Sequence, residues 1–216
     1  MVNIYVGDPE KDQEDHFTVH KKLLCTKIPY FGKMFKGNFQ EAATNTARFP
    51  EDSPKTFDLL LGWVYNGYLP PMTSTPDNDA ESLHIPSWDA LKLFALAEKF
   101  CISELMDITM DMYRKNDEEN GTLPMFGAME MAYEITDVGS ALQKYMAMSC
   151  AYVLVNEDSW KVQDIWTLLK EDPGLNLDVM AIIRENRGII GDPSLLPNCD
   201  FHSHLKDIPC PWKMEE

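Results

Sequence analysis

The sequence has few basic residues. Of its 216 residues, 19 are lysine or arginine and 35 are aspartate or glutamate, which gives a formal net charge of -16. Binding to phosphate backbones and to anionic lipid depends on positive charge, so this balance argues against both kinds of partner. We therefore predict that the protein binds neither nucleic acid nor a membrane surface.

Long apolar runs are also missing. The N-terminal stretch "MVNIYVGDPEKDQEDHF" has neither the basic region nor the apolar core of a secretory signal. The longest apolar-looking run, "LLLGWVY" at residues 59–65, is too short to span a bilayer. We therefore expect an intracellular protein, cytoplasmic or nuclear, whose five cysteines remain thiols.

Catalytic sequence motifs are absent as well. The chain contains no G-x-G-x-x-G, no G-x-x-x-x-G-K-[ST], no H-E-x-x-H and no G-x-S-x-G. His20 and Cys25 are candidates for acid–base or nucleophilic chemistry, but no third orienting group is apparent near them. We interpret His20 as a packing histidine and Cys25 as a core residue, and we expect a protein that is not an enzyme.

The first half of the chain alternates between strand and helix patterns. "VNIYVG" and "HFTVH" have the two-residue period of a hairpin, and "NTARFPE" predicts a third strand. "KKLLCTK" and "PYFGKMFKGN" predict two short helices, and "SPKTFDLLLGWVYNGYL" predicts a longer one with Ser53 as its cap. These patterns indicate an α+β domain.

The second half is helical in pattern. Residues 70–86 read as an exposed loop, and residues 87–115 as two helices. The charged stretch "NDEENG" at 116–121 is the candidate boundary, which gives a domain at 1–116 and a helical extension at 117–216. Methionines recur at helical spacing in both parts, and we interpret them as gap-filling core residues, with a flexible groove that binds partner helices as the alternative.

The order of these motifs resembles that of the BTB/POZ domain family. The chain matches the family at "F-x-V-H-K-x-L-L" (residues 17–24), at "P-Y-F" (29–31), at "F-x-L-L-L-x-W-V-Y-N-G-Y-L" (57–69) and at "L-x-L-F-A-L-A-E-K-F-C-I-x-x-L" (91–105). The resemblance covers about the first 115 residues and implies a small three-stranded sheet edge with a cluster of helices. The helical extension with its Cys and His tail resembles that of BTB proteins of filamentous fungi.

The resemblance also implies a function in protein interaction without catalysis. Family members act as adaptors that bind cullin scaffolds in ubiquitin-ligase complexes, and others self-associate as transcriptional or signalling regulators. Both a cullin and a second copy of the chain are therefore candidate partners. The candidate partner-binding surface lies around the longer helix, the loop 70–86 and the helix from Ile102. Its candidate residues are Phe57, Tyr65, Asn66, Tyr68, Ile102 and Leu105.

The stretch "CDFHSHLKDIPC" at residues 199–210 is a candidate metal site. Cys199, His202, His204 and Cys210 supply two sulfur and two nitrogen ligands, which suits a structural Zn²⁺ ion. The spacing C-x2-H-x-H-x5-C is not that of common zinc fingers, and one short segment offers little support for four ligands. The alternative is a tail without metal, packed by Phe201, Leu205 and Trp212. A zinc-dependent regulator is thus a further candidate function.

Overall fold

A computed structural model describes residues 1–11, 13–76, 84–157, 160–204 and 210, and for 74–76 and 84–86 it describes the backbone. The chain divides into two compact units. The N-terminal unit consists of Met1–Pro71 and Leu96–Ile102, and the C-terminal unit consists of Met72–Ala95 and the chain from Ser103 onward.

The structure contains the strands and helices that the sequence predicts, together with elements at Gln40–Thr44, Ser74–Pro76 and His84–Pro86 that it does not predict. The strands are β1 (Val2–Val6), β2 (Asp15–Val19), β3 (Thr46–Phe49), β4 (Ser74–Pro76) and β5 (His84–Pro86). The helices are α1 (Lys21–Lys27), α2 (Pro29–Lys36), α3 (Gln40–Thr44), α4 (Pro54–Asn66), α5 (Ala90–Lys99), α6 (Ser103–Asn120), α7 (Phe126–Ile135), α8 (Ala141–Asn156), α9 (Val162–Glu171) and α10 (Pro173–Glu185). Short 3-10 turns lie at Pro9–Lys11, Pro193–Leu195 and Asn198–Phe201.

The N-terminal unit contains the predicted hairpin within a three-stranded sheet of order β2-β1-β3. β1 pairs antiparallel with β2, with Val2 opposite Val19, and parallel with β3. The residues at alternate positions of β1, from Val2 to Val6, are fully buried, as the period of two predicts. Gly7 ends β1 at φ +99, where a Cβ would lie 2.1 Å from the Gln13 carbonyl oxygen, so this turn requires glycine.

The longest helix of this unit, α4, begins and ends at the predicted residues. The Ser53 hydroxyl accepts a hydrogen bond from the Thr56 amide, and Pro54 occupies the first turn. Gly67 closes the helix in the left-handed conformation, at φ 80. The prediction of this helix is therefore confirmed in its capping as well as in its extent.

Aromatic rings form the centre of the N-terminal unit. The Phe100 ring lies 5.0 Å from that of Phe31, 5.5 Å from that of Phe49 and 5.8 Å from that of Phe57, measured between ring centroids. These are the separations at which tilted and edge-on aromatic pairs are favourable. The short piece Leu96–Ile102 therefore supplies a central ring to a unit built mostly from residues 1–71.

The C-terminal unit has its own core, built on α8. The buried residues of this core include Phe94, Met110, Met129, Ala132, Leu142, Tyr145, Met146, Cys150, Ile165, Leu168, Leu175, Val179 and Phe201. Met129 and Met146 are fully buried, which confirms the interpretation of methionines as core residues at these positions. Beyond residue 121 the chain forms α7, α8, α9 and α10, as the predicted helical extension requires.

The segment 70–86 differs from the predicted loop. β4 and β5 pair antiparallel, with Ser74 opposite Pro86 and Pro76 opposite His84. Strands of three residues are too short to show a periodic pattern, and a proline at a strand end leaves the ladder intact, so the sequence carries no strand signal here. Residues 77–83 lie outside the described part of the chain.

The predicted boundary at residue 116 falls inside a helix. α6 runs without a break from Ser103 to Asn120. The predicted division into a domain at 1–116 and an extension at 117–216 therefore does not coincide with the end of a helix. This division stays a prediction.

Candidate functional site

An exposed polar and aromatic corner lies at the C-terminal end of α4. It consists of Tyr65, Asn66 and Tyr68, and we call it the α4 corner. Tyr65 is 46% exposed and Tyr68 is 67% exposed, and Asn66 is also exposed. The cap at Gly67 turns the chain between Asn66 and Tyr68. The structure thus leaves three of the six predicted partner-binding residues accessible, and their role stays a prediction.

His20 holds the α4 corner in place. The His20 backbone amide donates a hydrogen bond to the Tyr65 hydroxyl over 3.0 Å, and the same hydroxyl lies 2.9 Å from His20 Nδ1. The amide can only donate, so the hydroxyl oxygen accepts that bond, and the hydroxyl and Nδ1 share a second hydrogen bond. His20 was interpreted as a packing histidine, but its side chain is exposed. It orients Tyr65 by hydrogen bonding rather than by burial.

The other three predicted partner-binding residues are buried. Phe57 and Leu105 are 0% exposed and Ile102 is 5% exposed. Their side chains belong to the core, and their part in partner binding stays a prediction. Apolar residues at helical spacing mark a buried face and a binding face equally well, so the sequence pattern does not distinguish the two.

Cys25 is buried, as predicted. Its thiol donates a weak hydrogen bond to the Phe31 carbonyl oxygen over 3.5 Å. Cys25 is therefore a core residue of the N-terminal unit.

The four predicted metal ligands converge on one point in the C-terminal unit. The ligand atoms of Cys199, His202, His204 and Cys210 all lie within 4.8 Å of one another. His202 Nδ1 lies 3.3 Å from His204 Nε2 and 3.4 Å from Cys210 Sγ. The chain thus brings two imidazoles and two thiols together across a twelve-residue segment. That the cluster holds a metal stays a prediction.

Two aspartates of α6 support this cluster. His202 Nε2 lies 2.8 Å from Asp111 Oδ1, and the Ser203 amide donates to Asp107 Oδ1 over 2.7 Å. Burial lowers the pKa of His202, but the hydrogen bond to Asp111 and its charge outweigh burial, so the pKa lies above its ordinary value. Sequence reasoning missed both aspartates. The available signal was their spacing of four residues, which places them on one face of a helix.

Arg114 anchors the segment that leads into the cluster. Its guanidinium donates to Asn198 Oδ1 over 2.8 Å, to the carbonyls of Pro193 and Ser194 over 3.1 Å each, and to the Leu196 carbonyl. Arg114 itself is 1% exposed. Such a planar donor array suits several carbonyl groups at once, so it fixes the path of the chain ahead of Cys199.

Phe201 also holds this segment. Its side chain is 1% exposed, its ring lies 5.5 Å from that of Tyr145, and the Arg114 guanidinium lies 4.4 Å from the ring centroid. The predicted packing role of Phe201 is therefore confirmed. Leu205 and Trp212, the other residues predicted to pack the tail, lie outside the described residues.

A buried acid lies on the same helix, α6. Asp117 is 5% exposed, and Tyr145 donates its hydroxyl hydrogen to Asp117 Oδ2 over 2.8 Å. Burial raises the pKa of Asp117 to about 7, although the hydrogen bonds from Tyr145 and Thr122 oppose the shift. The same burial, together with the Asp117 charge, raises the pKa of Tyr145 above its ordinary value. This pair is part of the C-terminal core.

A comparison with known proteins identifies relatives of the chain. The family model of the BTB/POZ domain matches residues 2–117. The chain is 27% identical over 153 residues to the Rho-related BTB domain-containing protein 2 of Mus musculus and of Homo sapiens, which covers 69% of this chain and 17% of each relative. It is 28% identical over 95 residues to TD and POZ domain-containing protein 4 of Mus musculus, which covers 44% of this chain and 22% of that protein.

These matches confirm the resemblance on which the fold prediction depends. The chain spans only 17% to 22% of the length of these relatives. The resemblance of the helical extension to fungal proteins stays a prediction. Within the described part of the chain, no helix is both long enough and apolar enough to cross a membrane.

Proposed function

Because the chain belongs to the BTB/POZ domain family, we propose that it is a non-catalytic adaptor or scaffold that binds a protein partner through the α4 corner. Domains of this family mediate protein–protein interaction, including dimerisation, and are generally non-catalytic. The observation that carries the proposal is the exposure of Tyr65, Asn66 and Tyr68, together with the hydrogen bonds that join Tyr65 to His20.

Tyrosines at such a position suit a partner interface. Tyrosine is enriched among the residues that contribute most to binding, because it buries a large ring and retains a polar end. Tyr68 exposes 67% of its surface, so a partner can bury most of this ring. His20 fixes Tyr65 before binding, which lowers the entropy lost on association.

The family resemblance suggests a cullin as the partner of the adaptor. The charge of this chain adds a physical condition, since -16 at neutral pH favours a partner that presents a basic surface to it. Long-range attraction of this kind accelerates association and weakens as salt is added. We therefore expect binding to a cullin N-terminal domain with micromolar affinity and with a salt-dependent association rate.

Isothermal titration calorimetry with a purified cullin N-terminal domain tests the proposal. Tyr68→Ala removes the most exposed ring of the α4 corner, and we expect roughly 30-fold weaker binding, which corresponds to about 2 kcal/mol for a central aromatic contact. Trp166→Ala is the matched control, because Trp166 is a 56% exposed aromatic residue on α9. Absence of any binding by the unmodified chain would refute its function as a cullin adaptor.

Self-association is the second candidate function, and the dimerisation known for the family favours it. In that case the chain acts as a self-associating transcriptional or signalling regulator. Light scattering over a range of protein concentrations separates the two functions, because a self-associating chain shows a mass above 24.7 kDa that rises with concentration. A constant mass of one chain at every concentration would rule out the second candidate.

A further inference from the structure

We propose that Cys199, His202, His204 and Cys210 bind one Zn²⁺ ion as a closed, four-ligand structural site. The site goes beyond the proposed partner binding and does not depend on it. The ion fastens Cys210 to the turn that contains the other three ligands. The proposal is carried by the distances between the ligand atoms and by the hydrogen bonds that hold His202.

The measured distances agree with tetrahedral zinc coordination. With sulfur at ~2.3 Å and nitrogen at ~2.0 Å from the ion, tetrahedral geometry separates two nitrogens by roughly 3.3 Å, a nitrogen and a sulfur by roughly 3.5 Å, and two sulfurs by roughly 3.8 Å. The two imidazole nitrogens lie 3.3 Å apart, and His202 Nδ1 lies 3.4 Å from Cys210 Sγ. All four ligand atoms lie within 4.8 Å of one another, so some pairs can be farther apart than they would be around a bound zinc ion. Rotation of a half-buried cysteine side chain can remove this excess distance.

His202 is held in the orientation that a ligand requires. Its side chain is 2% exposed, and Nε2 lies 2.8 Å from the Asp111 carboxylate. The carboxylate can only accept, so Nε2 carries the hydrogen, and Nδ1, which faces the cluster, is the atom that offers a lone pair in the neutral imidazole. A carboxylate that accepts from the far nitrogen of a histidine is the usual support of a histidine bound to zinc.

The support from α6 answers the objection that one short segment cannot stabilise four ligands. Asp111 holds His202, and Asp107 accepts a hydrogen bond from the Ser203 amide between the two histidines. Arg114 and Phe201 fix the chain immediately before the histidines. The ligands are therefore placed by a helix and by core packing, rather than by the segment alone.

The chemistry of the four groups favours zinc over other cations. Two thiolates and two imidazoles suit Zn²⁺, whereas Ca²⁺ and Mg²⁺ prefer oxygen ligands. Two thiolates balance the charge of the ion, and the neighbouring aspartates make the surroundings more negative still. Four protein ligands fill the tetrahedron, so the ion has no open position for catalysis.

Hydrogen bonding among the four side chains, without a metal, is the competing explanation for their convergence. His202 Nδ1 has one lone pair in the neutral imidazole and one hydrogen in the charged form, because Nε2 donates to Asp111 in both. Two groups, His204 Nε2 and Cys210 Sγ, nevertheless approach this one atom at nearly equal distances. A single lone pair or a single N–H serves one partner well, whereas a cation at the centre satisfies all three groups together.

Metal analysis of the 216-residue chain tests the proposal. The protein is purified with a phosphine reductant and without chelator, loaded with zinc, and dialysed against zinc-free buffer before elemental analysis. We expect about one zinc per chain, because structural zinc sites of this type retain their metal tightly. Fewer than about a tenth of a zinc per chain would overturn the proposal.

Two variants and two controls locate the metal. Cys199→Ser and His204→Asn should each lose most of the bound zinc. The matched controls are Cys101→Ser and His16→Asn, which change an exposed cysteine and an exposed histidine of the N-terminal unit and should keep it. Equal zinc in all four variants would overturn the proposal, because the metal would then lie elsewhere.

A measurement on the unmodified chain keeps the test valid if the variants do not fold. Cobalt(II) in the site should give the intense visible absorption of tetrahedral coordination, together with sulfur-to-metal charge-transfer bands, and added zinc should abolish both. A weak octahedral spectrum without charge transfer would overturn the proposal. A disulfide between Cys199 and Cys210 that persists in the reduced preparation would overturn it as well.

Discussion

The substitution Asp117→Asn should remove a large pH dependence from the stability of the protein. Asp117 is 5% exposed, and burial raises its pKa from the ordinary value of 3.8 to about 7. Asparagine has nearly the same shape but does not ionise. Its amide oxygen can still accept the Tyr145 hydroxyl hydrogen, and its amide nitrogen can donate to the Thr122 hydroxyl, which lies 3.5 Å from the carboxylate.

The sign of the effect follows from the direction of the shift. Between pH 3.8 and about 7 the folded chain retains a proton on Asp117 that the unfolded chain has released, so the free energy of unfolding falls as the pH rises through this window. The contribution of the protonated acid is complete below pH 3.8 and is lost above about pH 7. Each unit of difference between the folded and unfolded pKa values corresponds to ~1.4 kcal/mol, so the total loss of stability is about 4 kcal/mol.

Urea denaturation at several pH values measures the effect. The free energy of unfolding is obtained for the variant and for the unmodified chain below about pH 4.5 and above about pH 8. Other acids titrate in both proteins, so the difference between the two isolates Asp117. We compare the free energies of unfolding of the two proteins at each pH. From the acidic to the alkaline condition, we expect their difference to change by several kcal/mol in favour of the variant.

Glu118→Gln serves as the control, because Glu118 is an exposed carboxylate on the same helix. It removes one negative charge without changing a buried acid, so its effect on stability should vary little between the two conditions. If Asp117→Asn shifted stability by the same amount at both ends of the pH range, the carboxyl would titrate alike in the folded and unfolded chains. The argument from burial would then be refuted.

Two further substitutions test contacts of each unit. Arg114→Met keeps an apolar stem but leaves the carbonyls around Asn198 without their donor, and it should lower the free energy of unfolding by roughly 3–5 kcal/mol. Lys115→Met changes an exposed neighbour and should have little effect in the same urea titration. Tyr65→Phe removes both hydrogen bonds to His20 and should cost about 1 kcal/mol, and an unchanged urea midpoint would show that these bonds do not hold the α4 corner.

Local patterns predict the elements of the N-terminal unit because each element carries its own signal. The alternation from Val2 to Val6 predicts β1, and Ser53 and Gly67 mark the ends of α4. The parallel pairing of β3 with β1 has no such signal, because register between distant segments depends on tertiary packing.

The candidate sites were predictable only in part, for a related reason. The sequence shows that Cys199 and Cys210 can approach each other, but not that Asp111 supports the histidine between them. Charged residues at helical spacing usually mark a solvated face. Burial of Arg114 and Asp117 becomes evident only when the segment that covers α6 is placed on it.

The interleaved path of the chain limits how the protein can be dissected. Residues 72–95 belong to the C-terminal unit although they precede Leu96–Ile102, which belong to the N-terminal unit. No single cut therefore separates the two. A fragment that ends at residue 117, where the family match ends, would retain Phe94 and lose the helices that bury it in the second core. Shortened versions of this protein would thus expose an apolar surface that the full chain conceals, and partners captured by them would report on that surface.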